Sequence, residues 1–180
     1  MKDLKGSKTE ENLWTAFSGE SQARNKYTFF ASQADKEGFK QIAAIFTETA
    51  DNEKEHAKRL FKLALGGSVP PTVENLLSAA QGENEEHSSM YPEFEKIARE
   101  EGFNEIADIF REIAEVEEEH EKRYLKLLQN VKDGTVFKKD KPVKWKCRNC
   151  GYVHEGTEPP ERCPACDHPQ SYYEVLAENY

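Results

Sequence analysis

Apolar side chains return at three- and four-residue steps through most of the chain, as in Leu13, Ala16, Phe17, then Ile42, Ile45, Phe46, then Ile106, Ile109, Phe110 and Ile113. Glu and Lys fill the positions between them, and this period predicts amphipathic helix. Gly38 and Gly102 interrupt the pattern after charged triplets, and Gly66-Gly67-Ser68-Val69-Pro70-Pro71 is a firm stop. Four helices are expected, over 10–36, 39–65, 73–101 and 103–131. Pro92 should kink the third of them and free a carbonyl near Glu86 and Tyr91.

The helices form an internal repeat. Glu11-Asn12-Leu13 returns as Glu74-Asn75-Leu76, Glu20 as Glu83, Glu37-Gly38-Phe39 as Glu101-Gly102-Phe103, Ile42-Ala43 as Ile106-Ala107, and His56 as His120, with an offset of 63 early and 64 later. A helical hairpin cannot bury its apolar stripe alone, so two copies predict a four-helix bundle with a pseudo-twofold axis. A chemical feature in one half should then have a mate in the other.

After Gly134 the texture changes to the basic linker Lys138-Lys139-Asp140-Lys141-Pro142 and then to short, turn-rich sequence around four cysteines. The expected domains are 1–134, the bundle, and 135–180, a small module that needs metal to fold. Seven basic and seven acidic residues balance in the second, so the whole net charge of −9 belongs to the first. The excess of 34 Asp+Glu over 25 Lys+Arg in the whole chain argues against nucleic acid or an anionic membrane as partner. No apolar run approaches the roughly 20 residues of a membrane span, and Met1-Lys2-Asp3-Leu4-Lys5 lacks a signal-peptide core, so a cytoplasmic protein is expected.

Glu53-x-x-His56 and Glu117-x-x-His120 place a carboxylate and an imidazole on the apolar stripe of the second and fourth helices. Glu20 and Glu83 do the same on the first and third. Four buried carboxylates repel strongly or take up protons, so cations must be present. Glutamate and imidazole suit iron or manganese, and one Glu from each of two helices with Glu-x-x-His from the other two is the donor set of ferritin-like di-metal bundles. The repeat breaks where Ala23 corresponds to Glu86, which either adds a carboxylate to one side or faces water. His87 has no mate and reads as a surface or supporting residue. Trp14 and Trp145 read as packing residues.

Cys147-Arg148-Asn149-Cys150 and Cys163-Pro164-Ala165-Cys166 form two knuckles for one tetrahedral ion, a better account of the spacing than two disulfides. Four thiolates suit structural zinc or an iron electron carrier, and the residues alone favour zinc. His154 and His168 beside them are expected at the surface.

Taken together, the paired Glu-x-x-His motifs, Glu86, Cys147-x-x-Cys150-Gly151-Tyr152 and Cys163-Pro164-x-Cys166 resemble the rubrerythrin family from end to end. The resemblance implies a mainly α fold, a ferritin-like four-helix bundle followed by a rubredoxin-like module. It implies two iron ions, with Glu53 and Glu117 bridging, Glu20 on one and Glu83 with His120 on the other, and the first held by Glu86 when oxidised and by His56 when reduced. Tyr27 and Tyr91 resemble the family's tyrosines near that site. The implied reaction is reduction of hydrogen peroxide to water, with Glu86, Tyr27 and Tyr91 assisting proton delivery. An iron at Cys147, Cys150, Cys163 and Cys166 would return electrons from an external NAD(P)H-dependent reductase or a rubredoxin, which favours iron over zinc there. A head-to-tail homodimer is implied. Separately, the link between the second and third helices is too short to travel back along a full-length bundle, so either the helices end early or helix pairs are swapped between chains. Three other readings stand beside this one, a ferroxidase or iron-handling protein, an oxygen-reducing or oxygenating di-iron protein, and a zinc-ribbon adaptor on a helical stalk.

Overall fold

The computed structural model describes residues 4–179 and divides into two compact units, Met1–Pro70 and Pro71–Tyr180. The first unit is a helical hairpin of α1 (Lys8–Lys36) and α2 (Lys40–Ala64). Ser7 starts α1 by accepting the Glu10 amide at 3.1 Å, and the Glu10 carboxylate accepts the Gly6 N–H at 2.6 Å. Each satisfies an amide near the helix start. Gly38, at φ +88°, turns the chain, and the Phe39 N–H reaches back to the Ala34 carbonyl at 2.9 Å. This closure needs a left-handed residue, which glycine supplies without a Cβ clash. The most buried residues are alanines, Ala31 and Ala34 on α1 and Ala43, Ala50 and Ala57 on α2. Ile42 and Ile45 stay about half exposed, so the hairpin does not cover its own apolar stripe.

In the second unit the expected third helix arrives in pieces. α3 (Thr72–Glu85) and α4 (Tyr91–Glu100) both pack on α5 (Asn104–Lys132), and between them Glu86–Met90 forms one π turn, closed by the Tyr91 N–H on the Glu86 carbonyl. The break therefore begins before Pro92. It takes the form of a wider turn that accommodates one extra residue within the helix. Gly102, at φ +87°, repeats the turn of the first unit, with Phe103 N–H on Ala98 O at 2.8 Å.

Aromatic packing repeats as closely. Tyr27, Phe30 and Phe46 lie with ring centroids 6.2, 6.1 and 5.6 Å apart, and Tyr91, Phe94 and Phe110 lie 6.3, 6.1 and 5.7 Å apart. These rings correspond at an offset of 64, whereas Glu20 and Glu83 correspond at 63. The extra residue of the second copy thus falls between Glu83 and Tyr91, where the π turn lies.

Beyond α5 the unit ends in a small antiparallel sheet of order β2-β1-β3, from β1 (Val143–Cys147), β2 (Val153–Gly156) and β3 (Tyr173–Val175). Trp145, Cys147, Cys163 and Tyr173 make its core, and the Trp145 indole donates to Gly156 O at 2.9 Å. Trp14 packs edge-on against Phe17 and Phe61 in the first unit. Among the described residues no helix is long and apolar enough to cross a membrane.

Candidate metal centres

On the first hairpin, one donor atom from each of Glu20, Glu53 and His56 falls within 4.8 Å of the others. His56 Nδ1 lies 2.8 Å from Glu53 Oε2 and 3.8 Å from Glu20 Oε1. The three-residue spacing sets the Glu53–His56 contact, and the α1–α2 pairing brings Glu20 to it. The second hairpin repeats the group with Glu83, Glu117 and His120. There His120 Nδ1 lies 2.6 Å from Glu117 Oε2 and 3.8 Å from Glu83 Oε1. The two groups match in donor type and spacing, and each mixes hard oxygen with borderline nitrogen, a set that fits iron or manganese.

Their surroundings differ. The His56 side chain is 60% exposed and that of His120 35%. Burial raises the Glu83 carboxyl above its usual range, and the charge of Glu117 adds to the shift. Burial also raises Tyr91, with the charges of Glu86, Glu117 and Glu83 behind it. These groups crowd one region of negative charge, which a cation would relieve. Glu86 is half-buried on the π turn; it acts on Tyr91 and Glu83 but stands outside the triad. Tyr27 is half-buried in its ring cluster on the first hairpin.

Of the two readings of His87, surface or supporting residue, the structure favours the second. Its Nε2–H donates to Glu121 Oε2 at 2.7 Å, and Asn84 Nδ2 donates to Glu121 Oε1 at 3.1 Å. The His87 hydrogen bond, with Asn84 second, holds the Glu121 carboxyl below its usual range. The repeat offered a trace of this contact, since Glu121 stands where the first copy has Ala57.

The cysteine knuckles also match each other. The amide of Gly151 closes on Cys147 O at 2.9 Å, and the amide of Asp167 on Cys163 O at 2.8 Å. Both closing residues have positive φ, 82° and 57°. Opposed sulfurs lie 3.7 Å apart for Cys147 and Cys166 and 3.6 Å for Cys150 and Cys163. A tetrahedron with metal–sulfur bonds of about 2.3 Å has edges of about 3.8 Å, so the cage fits one ion. The His168 amide pulls the Cys166 thiol down to about 6 against the effect of burial. For Cys150 the Tyr152 amide lowers the thiol, but the neighbouring sulfurs and burial prevail and push it up to about 12. Four thiols so close cannot all ionise without a cation. His168 turns its Nδ1 to the Cys166 carbonyl at 3.0 Å and packs on the Tyr172 ring; it and His154 are half-buried, and neither belongs to the four-thiol group.

Comparison with known proteins agrees with this chemistry. Residues 11–128 match the family described as Rubrerythrin, and residues 145–174 match the rubrerythrin rubredoxin-like domain. The chain is 54% identical to a protein named Rubrerythrin from Nitratidesulfovibrio vulgaris, with all of both chains covered. It is 55% identical to Rubrerythrin of Porphyromonas gingivalis over 99% of this chain and 95% of that one. Rubrerythrin-1 of Clostridium acetobutylicum is 53% identical over the whole of both. The chain belongs to the rubrerythrin family, a ferritin-like helical fold with a di-iron site joined to a rubredoxin-like module with an iron of its own.

Proposed function

We propose that the protein reduces hydrogen peroxide to water. Glu20, Glu53, His56, Glu83, Glu86, Glu117 and His120 would hold the two irons. When bound, the irons supply two electrons and Lewis acidity for cleaving the O–O bond. Family membership and the matched carboxylate–imidazole groups support this reading, and the observation that carries it is their union in one chain with a four-cysteine cage. A storage protein needs no attached electron carrier.

The chain's own residues do the rest. Tyr91 keeps its phenol proton at Oη because burial and the charges of Glu86, Glu117 and Glu83 disfavour the phenolate. It can donate a hydrogen bond while the carboxylates around it change charge. Glu86, on the irregular turn, would carry protons to the site, assisted by Tyr27 or Tyr91. The Cys147, Cys150, Cys163 and Cys166 cage would receive electrons singly from an NAD(P)H-dependent reductase or a rubredoxin. The working form would be a cytoplasmic homodimer.

The test is stopped-flow absorbance of anaerobically reduced, iron-loaded protein mixed with peroxide or dioxygen, following the colour of the ferric cysteine site. Fast recolouring by peroxide and slow recolouring by dioxygen is the expected result. Equal or reversed rates would favour ferroxidase or oxygen chemistry.

A further inference from the structure

Three departures from the repeat gather at one place. Ala23, Arg24 and Ala57 of the first copy become Glu86, His87 and Glu121 in the second. Arg24 is exposed, and its side-chain hydrogen bond to Asn25 stays on α1 at 3.4 Å, whereas His87 reaches across to α5. The His87 and Glu121 side chains are each 19% exposed. A charge-assisted bond of 2.7 Å at that depth is held more firmly than a surface ion pair.

The backbone around it is short of regular bonds. Pro92 has no N–H for the Ser88 carbonyl, and the Ser88 hydroxyl bonds back to Asn84 O at 2.6 Å. A π turn inside an α-helix competes with the regular α register, and a side-chain tie across to α5 is one way to favour it. That tie starts one residue after Glu86 and ends one residue after His120.

We infer that His87 and Glu121 are positioning residues: their hydrogen bond, backed by Asn84, locks the π turn in the register that presents Glu86 to the iron site. This rests on the proposed function, since it takes Glu86 as a ligand. Without the lock the Glu86 carboxylate, which favours the ferric state, is held less firmly, and the di-iron midpoint potential rises.

The experiment compares wild-type holoprotein with His87→Phe, Glu86→Gln and the double variant by spectroelectrochemical titration of the di-iron site. Glu86→Gln should raise the potential, His87→Phe should produce at least half that rise, and the double variant should go no further than Glu86→Gln alone. His87→Gln, which keeps an N–H donor, should recover most of the wild-type value. A packing role alone would add to the effect of Glu86→Gln and would not be rescued. In metal-free protein, amide hydrogen exchange at Ser88, Ser89 and Met90 should quicken about tenfold in His87→Phe and in Glu121→Gln. A potential that moves in Glu86→Gln but not in His87→Phe, additive shifts, or unchanged exchange would overturn the lock. A potential unmoved by Glu86→Gln would overturn the lock's effect on iron together with the assignment of Glu86 as a ligand.

Discussion

The two hairpins share one turn, one aromatic triad and one Glu–Glu–His group, yet only the second contains a π turn, an added carboxylate and a histidine tied to its neighbouring helix. The shared parts are those any such hairpin needs in order to close and to offer a metal three donors. The differences concentrate within a few residues of Glu83. A repeat can therefore keep its architecture while a single extra residue makes one of its two donor groups distinct. The matched histidines differ as well, that of the second group being the less exposed.

The strongest test of the shared chemistry is to remove it from each side in turn. Glu53→Ala and Glu117→Ala should each abolish retention of both bundle irons while leaving the cysteine iron, read as iron per chain after desalting, and should cut peroxide turnover at least about 10²-fold. A variant that kept both irons would break the equivalence of the two carboxylates. The next test removes the difference. Glu86→Ala gives the second copy the residue of the first and should leave two irons bound, with turnover lowered about 10- to 100-fold in steady-state assays.

Smaller effects probe the scaffold. Gly38→Ala and Gly102→Ala each place a Cβ at a positive φ with open space around it, so both should cost about 1–2 kcal/mol by denaturant unfolding, nearly equally. Unequal costs would show that the turns are not equivalent. The smallest expected change is a gain. The Glu83 carboxyl is raised in the folded state from its ordinary 4.5, so its stability contribution is complete below that value and is lost as the pH rises through the raised one. Metal-free Glu83→Gln should melt about 2–4 °C above wild type at pH 7 and no higher at pH 4, by calorimetry.

Much of this was legible in the sequence because helices announce themselves by period. The expected spans 39–65 and 103–131 end within one residue of α2 and α5, and Gly38 and Gly102 mark both turns. The donor groups were legible because the repeat pairs Glu20 with Glu83 and His56 with His120. The π turn was not read, although the offset drifting from 63 to 64 encodes it, since one surplus residue in a helix leaves the composition and the apolar stripe almost unchanged. Pro92 drew attention to the kink it should cause rather than to the turn before it. The His87–Glu121 contact was hidden for another reason. It joins residues 34 apart with no counterpart in the first copy, so the repeat that exposed the paired Glu and His donors gave no mate by which to read this one.

The glycine turns carry a consequence in time. Each closes on contacts a few residues apart, the kind that form within microseconds to milliseconds. Synthesis proceeds at about 5–20 residues per second, so the chain beyond Ala64 takes several seconds to appear. Glu20, Glu53 and His56 are all synthesised well before Glu117 and His120 have left the ribosome. However alike the halves are in geometry, each new molecule makes them in sequence, and the half without the lock comes first.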